Sequence, residues 1–303
     1  MTFSFLKPAK FFLTFSTLLV AGSIVLAIVP GPKMSIDFTG GTLMEIRIPS
    51  ASTKEDLVAA LSNYTFEGGE SLGNVSISST KAETMLLRLR DLTNEEHLAL
   101  ISYLNTAIGD TEELQFTTIG PTIGATLKRR SMWALSIASI AIVLYLAFAF
   151  RKVPRRMSPW KFGIIAVITL LHDVLITFGV FIILSQITAF EFDTLFVTAL
   201  LTIMGYSVND TIVIFDRIRD NLFNQERGES LEDLAERSLR ESFVRSFNTS
   251  FSTLIMLFAL YALGSQSIRW FVLTLIVGTV IGTYSSIFLA TPLLVYWRKK
   301  GNA

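Results

Sequence analysis

Two carboxylates interrupt otherwise apolar stretches of this chain. Asp173 lies within FGIIAVITLLHDVLITFGVFIIL (162–184), and Asp210 lies within LFVTALLTIMGYSVNDTIVIF (195–215). A charged side chain in the middle of an apolar helix costs about 2.5–3.5 kcal/mol on insertion scales, so each acid needs a partner or a task. Asp210 follows Tyr206, Ser207 and Asn209, a polar patch in an apolar helix, and precedes the apolar run TIVIF. The stretch R-S-F-N-T-S (Arg245–Ser250) opens the next apolar run. If the two runs form adjacent antiparallel helices, Arg245 and Asn248 arrive at about the depth of Asp210. A carboxylate whose charged partner can approach and withdraw is able to load and release a proton, which is the chemistry of a relay. A proton descending the membrane potential yields about 2.3 kcal/mol per 100 mV. The same pair can instead be a static bridge that fixes helix register. The residues alone leave both readings open. Asp173 sits about eleven residues into its apolar stretch beside His172, with no basic partner in view; it reads first as a structural hydrogen-bonding group and second as a relay member. Arg217 and Arg219, just past the stretch that carries Asp210, read as anchors on the basic side of the membrane.

Other chemistries are poorly provided for. The 303 residues include no cysteine and only two histidines, His97 and His172. Disulfides, thiol catalysis and histidine-rich metal sites are therefore excluded. The net charge of +1 and the absence of a long basic run give no footprint for nucleic acid. No nucleophile–base pair, phosphate-binding loop or metal-ligand spacing occurs, so we expect neither enzymatic activity nor a bound cofactor. His97, just inside a helix cap, reads as a surface residue. Gly40-Gly41 reads as a bulge or tight turn in a strand.

The elements that must position these groups follow from hydropathy. The chain is 51% hydrophobic and only 17% charged, against about 25% charged in soluble domains. A bilayer core about 30 Å thick needs roughly 20 apolar residues in a helix. Six stretches suit: 11–29, 132–150, 162–184, 195–215, 246–263 and 270–297. The first follows Lys7 and Lys10, is long for a cleaved signal and lacks a clean A-x-A site, so we read it as an uncleaved signal anchor. Lys and Arg concentrate in the loop 151–161 (Arg151, Lys152, Arg155, Arg156, Lys161) and in the C-terminal tail (Arg298, Lys299, Lys300). The short loops 185–194 and 264–269 hold one arginine between them. By the positive-inside rule both termini, including residues 1–10, face the cytoplasm.

Residues 30–131 then lie outside. They read as a strand at 35–48, a helix opened by a capping box at Ser52–Glu55, a hairpin of 75–78 with 84–90, a second capped helix at Thr93–Glu96 and a last strand at 113–120. That order suits an α+β sandwich of ferredoxin-like type. The expected fold is thus an integral membrane bundle of six helices, with one extracytoplasmic α+β domain between the first and second. Residues 132–303 supply the other five helices. Gly278, Gly282 and Ser286 recur every four residues in the last span, a spacing for close helix packing. The stretch 216–244, rich in both charge signs, reads as an amphipathic helix lying at the cytoplasmic interface.

This order of elements resembles half of a transporter of the RND superfamily. The motifs I-D-F-T-G-G-T (Ile36–Thr42), G-P-T-I-G-A (Gly120–Ala125), L-H-D-V (Leu171–Val174), G-Y-S-V-N-D-T-I-V-I-F-D-R-I-R-D-N (Gly205–Asn221) and R-S-F-N-T-S (Arg245–Ser250) resemble the SecD/SecF family of bacterial protein-export subunits, on its SecF side. The resemblance covers nearly the whole chain. It implies location in the inner (cytoplasmic) membrane and pairing with SecD. It further implies association with the SecYEG channel, with YajC and YidC as further candidates, and unfolded exported polypeptides as cargo. Protons would be the coupling ion, and Asp210 and Arg245 the relay, supported by Asn209 and Asn248. Rival readings are half of an RND-type proton-coupled small-molecule transporter and a non-transporting membrane scaffold.

Overall fold

Side-chain periodicity and helix-capping chemistry account for most of the element boundaries in a computed structural model that describes residues 4–66, 69–73, 75–79, 84–151, 159–225 and 228–299. In chain order these residues form α1 (Ala9–Ile28), α2 (Ile36–Thr39), β1 (Gly41–Arg47), α3 (Lys54–Ser62), β2 (Ser76–Ser79), β3 (Met85–Leu89), α4 (Asn94–Ala107), β4 (Glu112–Ile119), α5 (Pro121–Ala149), α6 (Pro159–Ile187), α7 (Thr194–Phe223), α8 (Leu231–Leu263), α9 (Arg269–Ser285), a π-helical turn (Ser286–Ala290) and α10 (Thr291–Lys299). Lys152, Arg155, Arg156 and Lys300, which carry much of the orientation argument, lie outside the described residues, as do the side chains of Arg298 and Lys299.

Two compact units divide the chain. The first comprises Met34–Met132 with Glu191–Thr194. Its four strands are ordered β2-β3-β1-β4 and pair antiparallel throughout. With α3 and α4 inserted after β1 and β3, this is the ferredoxin-like arrangement. Alternation along β1 sends Met44 and Ile46 inward, where they meet Leu57 and Leu61 of α3 and Leu100 and Leu104 of α4. Full burial of such a side chain contributes about 1.5–3 kcal/mol. The second helix is capped as its sequence dictates, by Thr93 and Glu96. The first is capped one residue later than expected: Thr53 and Asp56 form the box, and Ser52 instead donates to the Ile108 carbonyl. Arg90 pairs with Glu96 and holds its carboxyl below the usual carboxylate range, with the Thr93 amide adding to the effect. His97 is not a free surface residue. Its Nε2 lies 2.8 Å from Glu113, and its ring stacks on Phe116 at 3.7 Å.

The stretch 35–48 is not one interrupted strand. Ser35 caps the single turn α2, and β1 begins only after the glycine pair. Gly40 and Gly41 have φ of 74° and 120°, and a Cβ on either would lie 2.8 Å from Pro121 Cα or 2.7 Å from the Leu89 carbonyl oxygen. Backbone therefore passes backbone at a distance only glycine permits. The short segment 191–194 belongs to this unit through Ser35 N–H to the Phe192 carbonyl (2.9 Å), Arg88 pairing with Glu191, and Asp37, which accepts from Thr194 N–H (3.0 Å) and Oγ1 (2.7 Å). Asp37 thus caps the first residue of α7.

The second unit, Met1–Lys33, Trp133–Phe190 and Leu195–Ala303, is helical. Among the described residues six helices are long and apolar enough to cross a membrane. They outrun the apolar stretches, because backbone hydrogen bonding continues into the polar flanks: α5 starts at Pro121, α7 ends at Phe223 and α8 starts at Leu231, capped by Ser230. Among the described residues of 216–244 no separate interfacial helix occurs: 216–223 end α7 and 231–244 begin α8, locked by Arg217 to Glu241 (2.6 Å) and Asn221 to Ser238 (2.9 Å) and Glu241 (2.9 Å). The core of this unit gathers Phe150, Phe162, Phe215, Ile218, Leu234 and Leu239. Small residues allow close approach: Ser23 of α1 faces Gly179 of α6, and Ile203 of α7 lies against Gly278 of α9.

Candidate functional site

The buried face of α7 carries Ile203, Ser207, Asp210, Thr211, Ile214 and Ile218, a stripe at helical spacing. Asp210 is therefore turned into the bundle, and it is 3% exposed. The matching face of α8 carries Ser238, Ser242, Ser246 and Ser250, every fourth residue, all buried. Ser250 Oγ donates to Asp210 Oδ2 at 3.4 Å. It accepts in turn from Tyr206 Oη at 3.0 Å and from Thr283 Oγ1 of α9 at 2.7 Å. A phenol and two aliphatic hydroxyls thus converge, and the chain of donors runs toward the carboxylate. Ser246, one turn before Ser250, is a second buried hydroxyl turned toward Asp210.

Arg245 and Asn248 are exposed on other faces of α8, and Asn209 is exposed on α7. No ion pair joins the exposed Arg245 to Asp210 among the described residues; the acid receives a serine where an arginine was expected. The expectation matched depth and missed rotation. Neighbouring residues on a helix point about 100° apart, so the serine stripe at 242, 246 and 250 leaves Arg245 beside it.

Asp173 is the better-solvated acid. It is fully buried on α6 and receives His172 Nδ1 at 2.8 Å, Ser285 Oγ of α9 at 2.8 Å, and Ser207 Oγ of α7. Hydrogen bonds to a charged group contribute about 1.5–3 kcal/mol each, enough in sum to offset insertion of one carboxylate. Asp210 is faced by two hydroxyls, Ser250 at 3.4 Å and Ser246, and has no imidazole beside it. Beyond Asp210, Phe215 meets Phe162 edge-on at 5.4 Å and Phe150 at 6.1 Å, an aromatic cluster about one and a half turns further along α7.

Gly278, Gly282 and Ser286 all address α7. A Cβ on Gly278 would overlap the Ile203 side chain, one on Gly282 would lie 3.1 Å from Ser207 Cβ, and Ser286 Oγ lies 3.1 Å from Thr211 Oγ1. Ser286 opens the π-helical turn, a widening common where helices carry function. The sequence reading missed Ser246, Ser250, Thr283 and Ser285, because single hydroxyls are frequent in apolar helices. The four-residue serine repeat of α8 was the available signal. Among the described residues no three His, Asp or Glu side chains gather as metal ligands would.

The sequence matches the family "Protein export membrane protein SecD/SecF, C-terminal" over residues 100–300 and the "SecD/SecF GG Motif" over residues 25–48. It is 42% identical over 296 residues to the protein translocase subunit SecF of Thermobaculum terrenum, covering 96% of this chain and 92% of that one. It is 36% identical to the SecF of Sebaldella termitidis, covering 99% and 93%. The crystal structure of SecDF, a translocon-associated membrane protein from Thermus thermophilus, superposes with a TM-score of 0.83 at 33% identity, covering 99% of this chain and 39% of that chain. A second SecDF structure, in a super-membrane-facing form, gives 0.70.

Proposed function

The chain belongs to the SecD/SecF family of protein export membrane proteins, and from that premise we propose that it is the SecF-type subunit of a protein translocase. It is a multi-pass membrane protein. It sits in the cytoplasmic membrane with both termini in the cytoplasm and the ferredoxin-like unit outside. Because SecDF of Thermus thermophilus holds a region similar to this chain within 39% of its length, the partner is a SecD-type chain supplying the remainder. SecYEG, with YajC and YidC, is the larger assembly, and unfolded polypeptides are the cargo. The role is energetic coupling by protons rather than enzymatic turnover or use of a bound cofactor.

The observation that carries the coupling is the buried Asp210 at the end of a donor chain from Tyr206 and Thr283 through Ser250. A hydroxyl chain passes a proton by relaying donors, and Asp210 is the group that keeps it. Arg245, one residue before Ser246 on α8, is the second relay member and acts by approaching Asp210. Asn209 and Asn248, exposed on α7 and α8, are the supporting polar residues.

The deciding experiment is Asp210→Asn in cells carrying the SecD-type partner, with assembly checked by co-purification. The assembled variant is expected to lose the export that depends on the proton gradient while keeping export driven by ATP alone. Full gradient-dependent export by the variant rejects the relay.

A further inference from the structure

The relay above uses Asp210 and leaves a second buried acid without a task. Asp173 lies fully buried on α6, and donors from three helices end on it: His172 Nδ1 (2.8 Å) from α6, Ser207 Oγ from α7 and Ser285 Oγ (2.8 Å) from α9. The titratable side chain beside it among the described residues is His172, itself 5% exposed. The groups facing this pair are hydroxyls: Ser207 from α7, and from α9 Ser285 and the phenol of Tyr284, whose ring centre lies 6.3 Å from the imidazole. From α1, Ser16 holds the Tyr284 hydroxyl at 2.8 Å.

A simple pin between helices would not need an imidazole. His172 Nε2 is buried with no hydrogen-bond partner, a costly feature in a packed interior. An imidazole against a carboxylate, 2.8 Å apart, is a pair that can hold one proton between them. The two serines that hold Asp173 belong to the turns that hold the relay. Ser207 stands one turn before Asp210 on α7, and Ser285 adjoins Ser286, which meets Thr211, the residue after Asp210.

We propose that His172 and Asp173 form a second proton-holding site, in series with Asp210; the series rests on the relay reading above. With one proton between them the pair is neutral, as imidazolium and carboxylate or as imidazole and carboxylic acid. Release of that proton leaves imidazole and a carboxylate, one negative charge, and uptake restores the neutral pair. Oδ2 receives both serines. A proton placed on Oδ2 makes that oxygen a donor and displaces one serine, and the turn of α7 or α9 that loses its bond resets around Asp210. Asp173 is thereby a positioning residue for Asp210 as well as a holder of charge.

The test uses the assembled complex with its SecD-type partner. Infrared difference spectroscopy across neutral pH, with Asp173→Asn and Asp210→Asn as references, separates the two acids, while gradient-dependent export is measured in parallel. The expected result is a carboxyl titration that Asp173→Asn removes and Asp210→Asn leaves, together with about a tenfold slowing of export in the assembled Asp173→Asn protein. A spectrum with no titration removed by Asp173→Asn, or unimpaired export by that variant, overturns the proposal and leaves the Asp210 relay standing. Unimpaired export by Asp210→Asn overturns the relay, and the series with it. If Asp173→Asn fails to assemble, His172→Gln keeps a donor on the carboxylate and is read instead. Its carboxyl titration is expected to move by about one pH unit, and an unmoved titration overturns the proposal.

Discussion

At Gly278 the side chain is absent because Ile203 occupies its place, and at Gly282 the nearest atom to a new Cβ is Ser207 Cβ at 3.1 Å. Within one helix alanine is favoured over glycine by about 1 kcal/mol, so the contact must outweigh propensity for glycine to be the better residue here. Overpacking costs about 1–3 kcal/mol. Gly278→Val is accordingly expected to lower the thermal midpoint of the detergent-solubilised protein, read by intrinsic tryptophan fluorescence. Ile203→Ala in the same chain should restore part of the loss. Absence of any recovery would place the strain elsewhere. The glycines at 278 and 282 were legible in the sequence because a four-residue spacing of small residues has one common use. The partner of Asp210 was not. Depth along a helix follows from counting residues, but which face a residue presents depends on tertiary packing, and the buried stripe of α8 is set by Ser238, Ser242, Ser246 and Ser250 rather than by its arginine.

Among the elements, α4 shows how strongly local chemistry fixes a boundary. Thr93 and Glu96 close both ends of the capping box, and Arg90 adds an ion pair to Glu96. Because the Glu96 carboxyl is held below its ordinary range in the folded chain, the unfolded chain takes up its proton first as pH falls. The stabilisation is present above about pH 4.3, the ordinary glutamate value, and is lost as pH drops through the lower folded value. Protection factors in the first turn of α4, with exchange corrected for its intrinsic pH dependence, should fall at pH 3 relative to pH 6, and Glu96→Gln should abolish the difference. A second element depends on a residue far from it in sequence: Asp37 caps α7 at Thr194. Asp37→Ala is expected to cost about 1 kcal/mol at that helix end, seen as faster exchange confined to the first turn of α7. Capping boxes and apolar runs are legible because the signal lies within a few residues. The α2 turn, the one-residue shift of the α3 cap and the merging of 216–244 into α7 and α8 were hidden. Each is decided by contacts with distant segments, such as Ser52 with Ile108 or Asn221 with Ser238.

For the molecule as a whole, the absence of cysteine is an experimental convenience. Glu95 and Asp220 are both exposed, one on α4 and the other near the end of α7. In intact cells a membrane-impermeant maleimide is expected to label Glu95→Cys from outside, and to label Asp220→Cys only after permeabilisation. The reverse pattern would invert the orientation drawn from the basic loops.

The cap supplied by Asp37 has a consequence for mechanical work. The helix it grips is thirty residues long and unbroken, and Asp210 lies about 24 Å further along it from Thr194 at 1.5 Å per residue. Asp37 thus steadies the first turn of the same unbroken helix that carries the acid. A load on that first turn is carried by the backbone hydrogen bonds of a single helix, with no joint before the acid.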